Sequence, residues 1–176
     1  KIALGRPMKF AKEDNPMDAS ISRFKLGKFD CTVVNDGTYS YPQPGKLFFE
    51  NVPPDRLAAA LAEHDIDLDT WDVYVSPYPS LVIETGEHRV LVDTGMGSLV
   101  PTTGKLRANL AAAGFSPDDL DTVILTHAHP DHIGGNLDES GQPAFPNARW
   151  VMGRTEWDFW RGDPDLSALR DDHFIP

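Results

Sequence analysis

The chain has 176 residues, 40% hydrophobic and 24% charged, which supplies one domain with its own core and excludes wholesale disorder. With 16 Lys and Arg against 27 Asp and Glu the formal charge is −11, a poor match to nucleic acid or anionic lipid. No apolar run approaches the ~18 residues of a membrane helix, and the one cysteine, Cys31, excludes an internal disulfide and a cysteine-based zinc site. The composition is that of a soluble protein. It leaves the compartment open between cytoplasm and, after processing, secretion or periplasm.

Residues 1–21 read as an extended arm ahead of a single domain over 22–176. Arg23 to Val34 is patterned as two strands around a Gly27-Lys28 turn, with Cys31 packed as a small apolar residue and Asn35-Asp36-Gly37 ending the hairpin. Pro42, Pro44, Pro53 and Pro54 mark residues 40–54 as loop. A helix is expected from Asp55 to His64, then a polar connection over 65–79. Leu81–Thr85 and His88–Val92 form a hairpin about Gly86-Glu87, and its second strand runs into Asp93-Thr94-Gly95-Met96-Gly97. Leu106 and Leu110 give a helix from Lys105 to Ala113, ended by Gly114. Ser116-Pro117-Asp118-Asp119 opens a short helical turn. The run Thr122–Thr126 is apolar enough to be a strand buried on both faces. Residues 138–147 read as loop, Ala148–Met152 as strand and Thr155–Trp160 as helix, before an acidic tail from Gly162. Strands interleaved with helices indicate an α/β fold.

Three of the six histidines fall in His127-Ala128-His129-Pro130-Asp131-His132, directly after the strand 122–126. In extended chain, residues i and i+2 project to one side, so His127 and His129 can grip one metal. Pro130 bends the chain and turns Asp131 and His132 towards a second. Imidazole and carboxylate are ligands for zinc and similar divalent ions. Two metals about 3.5–4 Å apart share a hydroxide and clamp the attacked and leaving oxygens.

The string Thr126–Gly135 resembles the H-x-H-x-D-H signature of the metallo-β-lactamase superfamily, and Leu91-Val92-Asp93-Thr94-Gly95 resembles its strand ending in Asp-x-Gly. Further stretches, Gln142–Ala148, Glu156–Trp160, Gly27–Asp30, Asn35–Thr38 and Gly104–Leu110, resemble the branch of methyl parathion hydrolase and related lactonases, so the likeness covers roughly residues 22–162. The resemblance implies an αββα sandwich of two similar halves, of which this chain is the N-terminal portion. It implies His127 and His129 on one metal, Asp131 and His132 on the other, and Asp93 supporting the metal loop by hydrogen bonding. It also implies Trp160 in an aromatic wall of the substrate pocket. Trp157 and Phe159 are equally well read as core of a short helix. The remaining ligands belong to a C-terminal half of the domain, and a homodimer is a family expectation. His64, His88 and His173 have surroundings unlike those of the missing ligands. The segment Met96–Val100 lacks the aromatic of the methyl parathion hydrolase pocket, which leaves lactones at least as well supported as organophosphates.

The expected activity is that of a binuclear zinc hydrolase. A metal-bridging hydroxide cleaves a small-molecule lactone, ester or phosphotriester, with Asp131 orienting or receiving a proton. The alternatives are a thiolester hydrolase or persulfide dioxygenase of the same superfamily, distinguished by iron, and a non-catalytic fragment with an incomplete metal site. A nuclease is opposed by the net charge. Asp65, Asp67 and Asp69 fail as an EF-hand, because Thr70 and Ser76 stand where Gly and Glu are required. Gly95-Met96-Gly97 lacks the third glycine of a dinucleotide turn, and Thr103-Gly104-Lys105-Leu106 lacks the hydroxyl of a P-loop.

Overall fold

The computed structural model describes residues 20–162, so most of the expected arm, the acidic tail and His173 lie outside the described residues. Six strands form one sheet in the order β1-β2-β3-β4-β5-β6: β1 (Ile21–Leu26), β2 (Phe29–Pro42), β3 (Val73–Glu84), β4 (Arg89–Val92), β5 (Thr122–Leu125) and β6 (Arg149–Met152). The first four are antiparallel neighbours, and β4, β5 and β6 are parallel. Helices α1 (Pro44–Phe48), α2 (Pro54–Ala62), α3 (Leu106–Ala113), α4 (Pro130–Ile133) and α5 (Arg154–Gly162) fill the connections.

The β1–β2 and β3–β4 hairpins follow the sequence expectation, and Cys31 is buried in β2. Two expectations about β2 and β3 are corrected. Asn35-Asp36-Gly37 does not end a hairpin: β2 continues to Pro42 through an irregularity between Asn35 and Thr38. The Asn35 side-chain oxygen accepts the amides of Gly37 at 3.1 Å and Tyr78 at 3.2 Å. It replaces lost ladder bonds and lets the strand resume. The connection expected over 65–79 is in its second half strand β3. Pro77 and Pro79 lie opposite Thr38 and Asn35, at the irregularity, where a ladder tolerates residues without an N–H. A third, smaller difference is α1, a short helix with proline in its first turn inside the expected loop.

One row of register partners, Thr32, Val82, Leu91, Val123 and Trp150, crosses the sheet on its core face. Val82, Leu91 and Val123 are fully buried there beneath Leu106 and Leu110 of α3, with Phe145 and Ile133 completing the layer. Gly114 ends α3 in the left-handed region at φ 93°, and Ser116 and Asp119 form a capping box on the next turn. The opposite face is also apolar and is only partly covered among the described residues: Cys31 is buried on it, whereas its β5–β6 end is open. Ile124 of β5 is 37% and Val151 of β6 is 36% exposed, which corrects the expectation that β5 is buried on both faces. The apolar run foretold two faces in need of cover, and at β5 only one receives it from the described residues. No helix among the described residues is long and apolar enough to cross a membrane.

Candidate metal centre

The motif residues gather at the carboxyl ends of β4 and β5, the edge where parallel strands of α/β sheets present their ligands. Asp93 follows β4 with φ 60° and is nearly buried. Its Oδ1 accepts the Thr126 amide at 2.8 Å, and its Oδ2 accepts the Thr126 hydroxyl at 2.8 Å. His132 Nδ1 lies 2.8 Å from the same Oδ2. The Thr126 hydroxyl is also 3.0 Å from His127 Nδ1. One carboxylate thus reaches His132 directly and His127 through a hydroxyl.

The loop sits on a floor of closely apposed backbone. Thr94 donates its amide to the His132 carbonyl at 2.8 Å, and Gly134 donates to the Gly95 carbonyl at 2.9 Å. The Thr94 hydroxyl reaches Asn136 Oδ1 at 2.8 Å. A Cβ on Gly97 would strike the Gly134 carbonyl, and one on Gly134 would strike the Met96 carbonyl, so the two turns approach this closely only as glycine. Beneath them Asp36 is 1% exposed. Its carboxylate accepts the amides of Met96, Gly97, Gly104 and Leu106 at 2.9, 3.0, 3.2 and 2.9 Å. Burial pushes this carboxyl above its ordinary range, while the four amides pull the other way.

Above the floor, the His127 ring centroid is 4.6 Å from that of His129 and 3.9 Å from that of His132. Pro130 opens α4, and the buried Ile133 anchors it. Asp131 Oδ2 stands 3.4 Å from His132 Nε2. Two ligands of a tetrahedral zinc, each about 2.0–2.1 Å from the ion, stand about 3.4 Å apart, so this pair has the separation of donors on one ion. Among the described residues, no three His, Cys, Asp or Glu side chains are grouped so as to hold a metal ion.

Helix α5 forms a wall beside the loop. Glu156 Oε1 accepts the Ala128 amide at 2.9 Å and the Trp160 indole N–H at 2.6 Å. The Ala128 amide, then the indole, hold the Glu156 carboxyl below its ordinary range, with smaller help from His127 and His129. Trp160 packs against the core and lies edge-on to His129 at 6.1 Å. Trp157 and Phe159 are 37% and 60% exposed, so the core reading of these two does not hold among the described residues. Tyr78 of β3 bonds Tyr41 at 2.8 Å; burial and that partner push its phenol up, and the charge of Asp131 adds to the effect.

The structure therefore brings together His127, His129, Asp131, His132, Asp93 and Trp160. His88 lies elsewhere, 3.3 Å from Asp121 at the amino ends of the same strands, and His64 is exposed after α2. Sequence reasoning missed Asp36, taken as part of a turn, and Tyr78, taken as part of a connection. It also missed the role of Glu156. One signal for Glu156 was available: Glu and Trp four residues apart share a helix face.

A mixed α/β sheet with this loop at its carboxyl edge defines a family, and the chain belongs to the metallo-β-lactamase superfamily, whose family model matches residues 73–167. An N-acyl homoserine lactonase of Bacillus thuringiensis is 32% identical over 133 residues, 64% of this chain and 50% of that protein. Among solved structures, the dizinc quorum-quenching lactonase AidC, in complex with a product, is similar with a TM-score of 0.72 and 31% identity over 82% of this chain and 48% of its own. The hydrolase AbOPH of the beta-lactamase superfamily is similar with a TM-score of 0.71 and 29% identity, over 86% of this chain and 50% of its own. The chain spans about half the length of these relatives.

Proposed function

We propose that this chain is the ligand-bearing N-terminal part of a metal-dependent hydrolase that opens lactones or similar esters at a pair of divalent ions, zinc in the first instance. The observation that carries the reading is the Asp93 carboxylate, 2.8 Å from His132 Nδ1 and linked to His127 Nδ1 through the Thr126 hydroxyl. An ionised carboxylate only accepts, so the His132 proton sits on Nδ1. Thr126 spends its own proton on Asp93 and accepts from His127, which fixes the same tautomer there. Both Nε2 atoms keep a lone pair for a metal, the usual support for histidine ligands.

In this reading His127 and His129 hold one ion, and Asp131 and His132 hold the other. The ions, when bound, supply an acidified water and polarise the substrate oxygen. Asp131 orients or receives a proton, and Trp160 offers an apolar wall to a neutral substrate. Leu99 stands in the segment without an aromatic wall and is 41% exposed, and similarity to proteins named lactonases supports a lactone as the substrate here. The uncovered apolar face at Ile124 and Val151 supports a C-terminal half packed against the sheet and supplying the remaining ligands. A homodimer belongs to the same proposal.

The test is elemental analysis of the full-length protein after gel filtration without added zinc, followed by hydrolysis of a lactone and phosphotriester panel. About two zinc ions per chain are expected, with lactone opening lost in His127→Ala and Asp131→Asn. Iron in their place, or turnover unchanged by both substitutions, overturns the reading.

A further inference from the structure

We propose that Glu156 is a positioning residue of this centre, holding the His127–Ala128–His129 segment and the Trp160 indole on one carboxylate oxygen. The inference rests on reading His127 and His129 as ligands, and it adds a residue that neither the signature nor the aromatic wall contains.

Ala128 lies between the two histidines. It is 1% exposed and belongs to the core cluster, and its amide donates to Glu156 Oε1 at 2.9 Å. The segment joining the two histidines is thus held by the core packing of Ala128 and by the bond from its amide. The rotation of that segment sets where the flanking side chains project, because alternate residues of an extended segment share a side. The same Oε1 accepts the Trp160 indole N–H at 2.6 Å. Glu156 and Trp160 are one helical turn apart on α5, so a single rigid element presents both. The indole meets His129 edge-on at 6.1 Å. Hydrogen bonds to an ionised acceptor are about twice as strong as neutral ones, and two on one oxygen couple the wall to the ligand spacing. Movement of α5 would shift both together.

The test compares wild type, Glu156→Gln, Glu156→Asp and Glu156→Ala in the full-length protein. Zinc affinity is read by competition with a chromophoric chelator. The indole N–H environment of Trp160 is read by ultraviolet resonance Raman difference spectra, with Trp160→Phe identifying the band. Removing support of this kind costs about 10–100-fold in metal affinity. Glu156→Ala is expected to show that loss together with a band shifted to weaker hydrogen bonding. Glu156→Gln keeps an oxygen at the same reach and should recover most of both. Glu156→Asp keeps the charge but withdraws the oxygen, so it should resemble Ala, and it serves if the Ala variant does not fold. Wild-type zinc affinity and an unshifted band in Glu156→Asp overturn the proposal, as does Glu156→Gln behaving like Ala. Wild-type protein that binds no zinc sinks the ligand reading itself; the indole band then decides alone whether Glu156 holds Trp160.

Discussion

At the carboxyl ends of β4 and β5, Asp93 meets His132 at 2.8 Å with side chains 10% and 30% exposed. At the amino ends of the same strands, Asp121 meets His88 at 3.3 Å with side chains 41% and 64% exposed. The residue types match and the surroundings do not. At both ends the Asp also takes an amide and a hydroxyl, but at the carboxyl end it lies over the glycine turns and the buried Asp36. At the amino end the pair joins Arg89, Glu84 and Asp119 in a solvated cluster. Water screens the second pair and leaves its partners replaceable, whereas the buried Asp93 carboxylate of the first has few waters to take its place. In the proposed reading, an Asp–His pair becomes a support for chemistry through what buries it.

The largest effect that contrast predicts lies in the floor. Asp36→Ala strands four amide donors, and a buried donor without an acceptor costs about 1–3 kcal/mol. Partial relaxation keeps the sum below four full penalties, so a loss above about 3 kcal/mol is expected by chemical denaturation. Gly134→Ala drives a methyl into the Met96 carbonyl, and overpacking of this kind costs about 1–3 kcal/mol or more. If either variant proved as stable as wild type, the carboxyl end would not be held from below and the comparison would collapse.

Next comes Asp93 itself. Asp93→Ala leaves the Thr126 amide and the His132 ring N–H without their acceptor, and a loss of about 2 kcal/mol is expected. Asp93→Asn keeps an oxygen for Thr126 but removes the charge that fixes the His132 tautomer. It should stay close to wild type in stability and lose about 10–100-fold in zinc affinity. Equal effects of the two on stability, with no change in affinity for either, would make Asp93 a packing residue only.

The sheet was legible where chain chemistry is local. The turn at Gly27, the hairpin about Gly86, the Gly114 cap and the capping box at Ser116 all follow from neighbours in sequence. The His127–His132 cluster was legible because six consecutive residues carry it. What escaped reading depends on partners far along the chain. Asp36 looks like a turn residue until Met96 to Leu106 fold over it, some 60–70 positions later. Pro77 and Pro79 argue against a strand until the Asn35 side chain opposite accepts the Tyr78 amide between them. Glu156 looks like a surface acid until the Ala128 amide arrives from 28 residues away. Each of these is a side chain standing in for a backbone bond, and no local pattern announces such a substitution.

The smallest predicted effect belongs to the amino end. The Asp121 carboxyl is held below its usual range, first by the Arg89 amide and then by Thr122 and His88. A depressed carboxyl contributes stability above the unfolded-state pKa of about 3.9 and loses it as pH falls through the lower folded value. Asp121→Asn keeps an oxygen for the Arg89 amide and removes only the charge. Because the site is solvated, its cost should stay below about 1 kcal/mol, a shift in Tm of roughly 2–4 °C at most for a domain of this size. The gap from wild type should shrink with added salt and close as pH falls through the lowered folded-state value of Asp121. Thermal melts over that fall in pH at two ionic strengths measure it. A gap as large as that of Asp93→Ala, or one indifferent to salt, would mean the two ends of the strands are held alike, and burial would then not be what separates them.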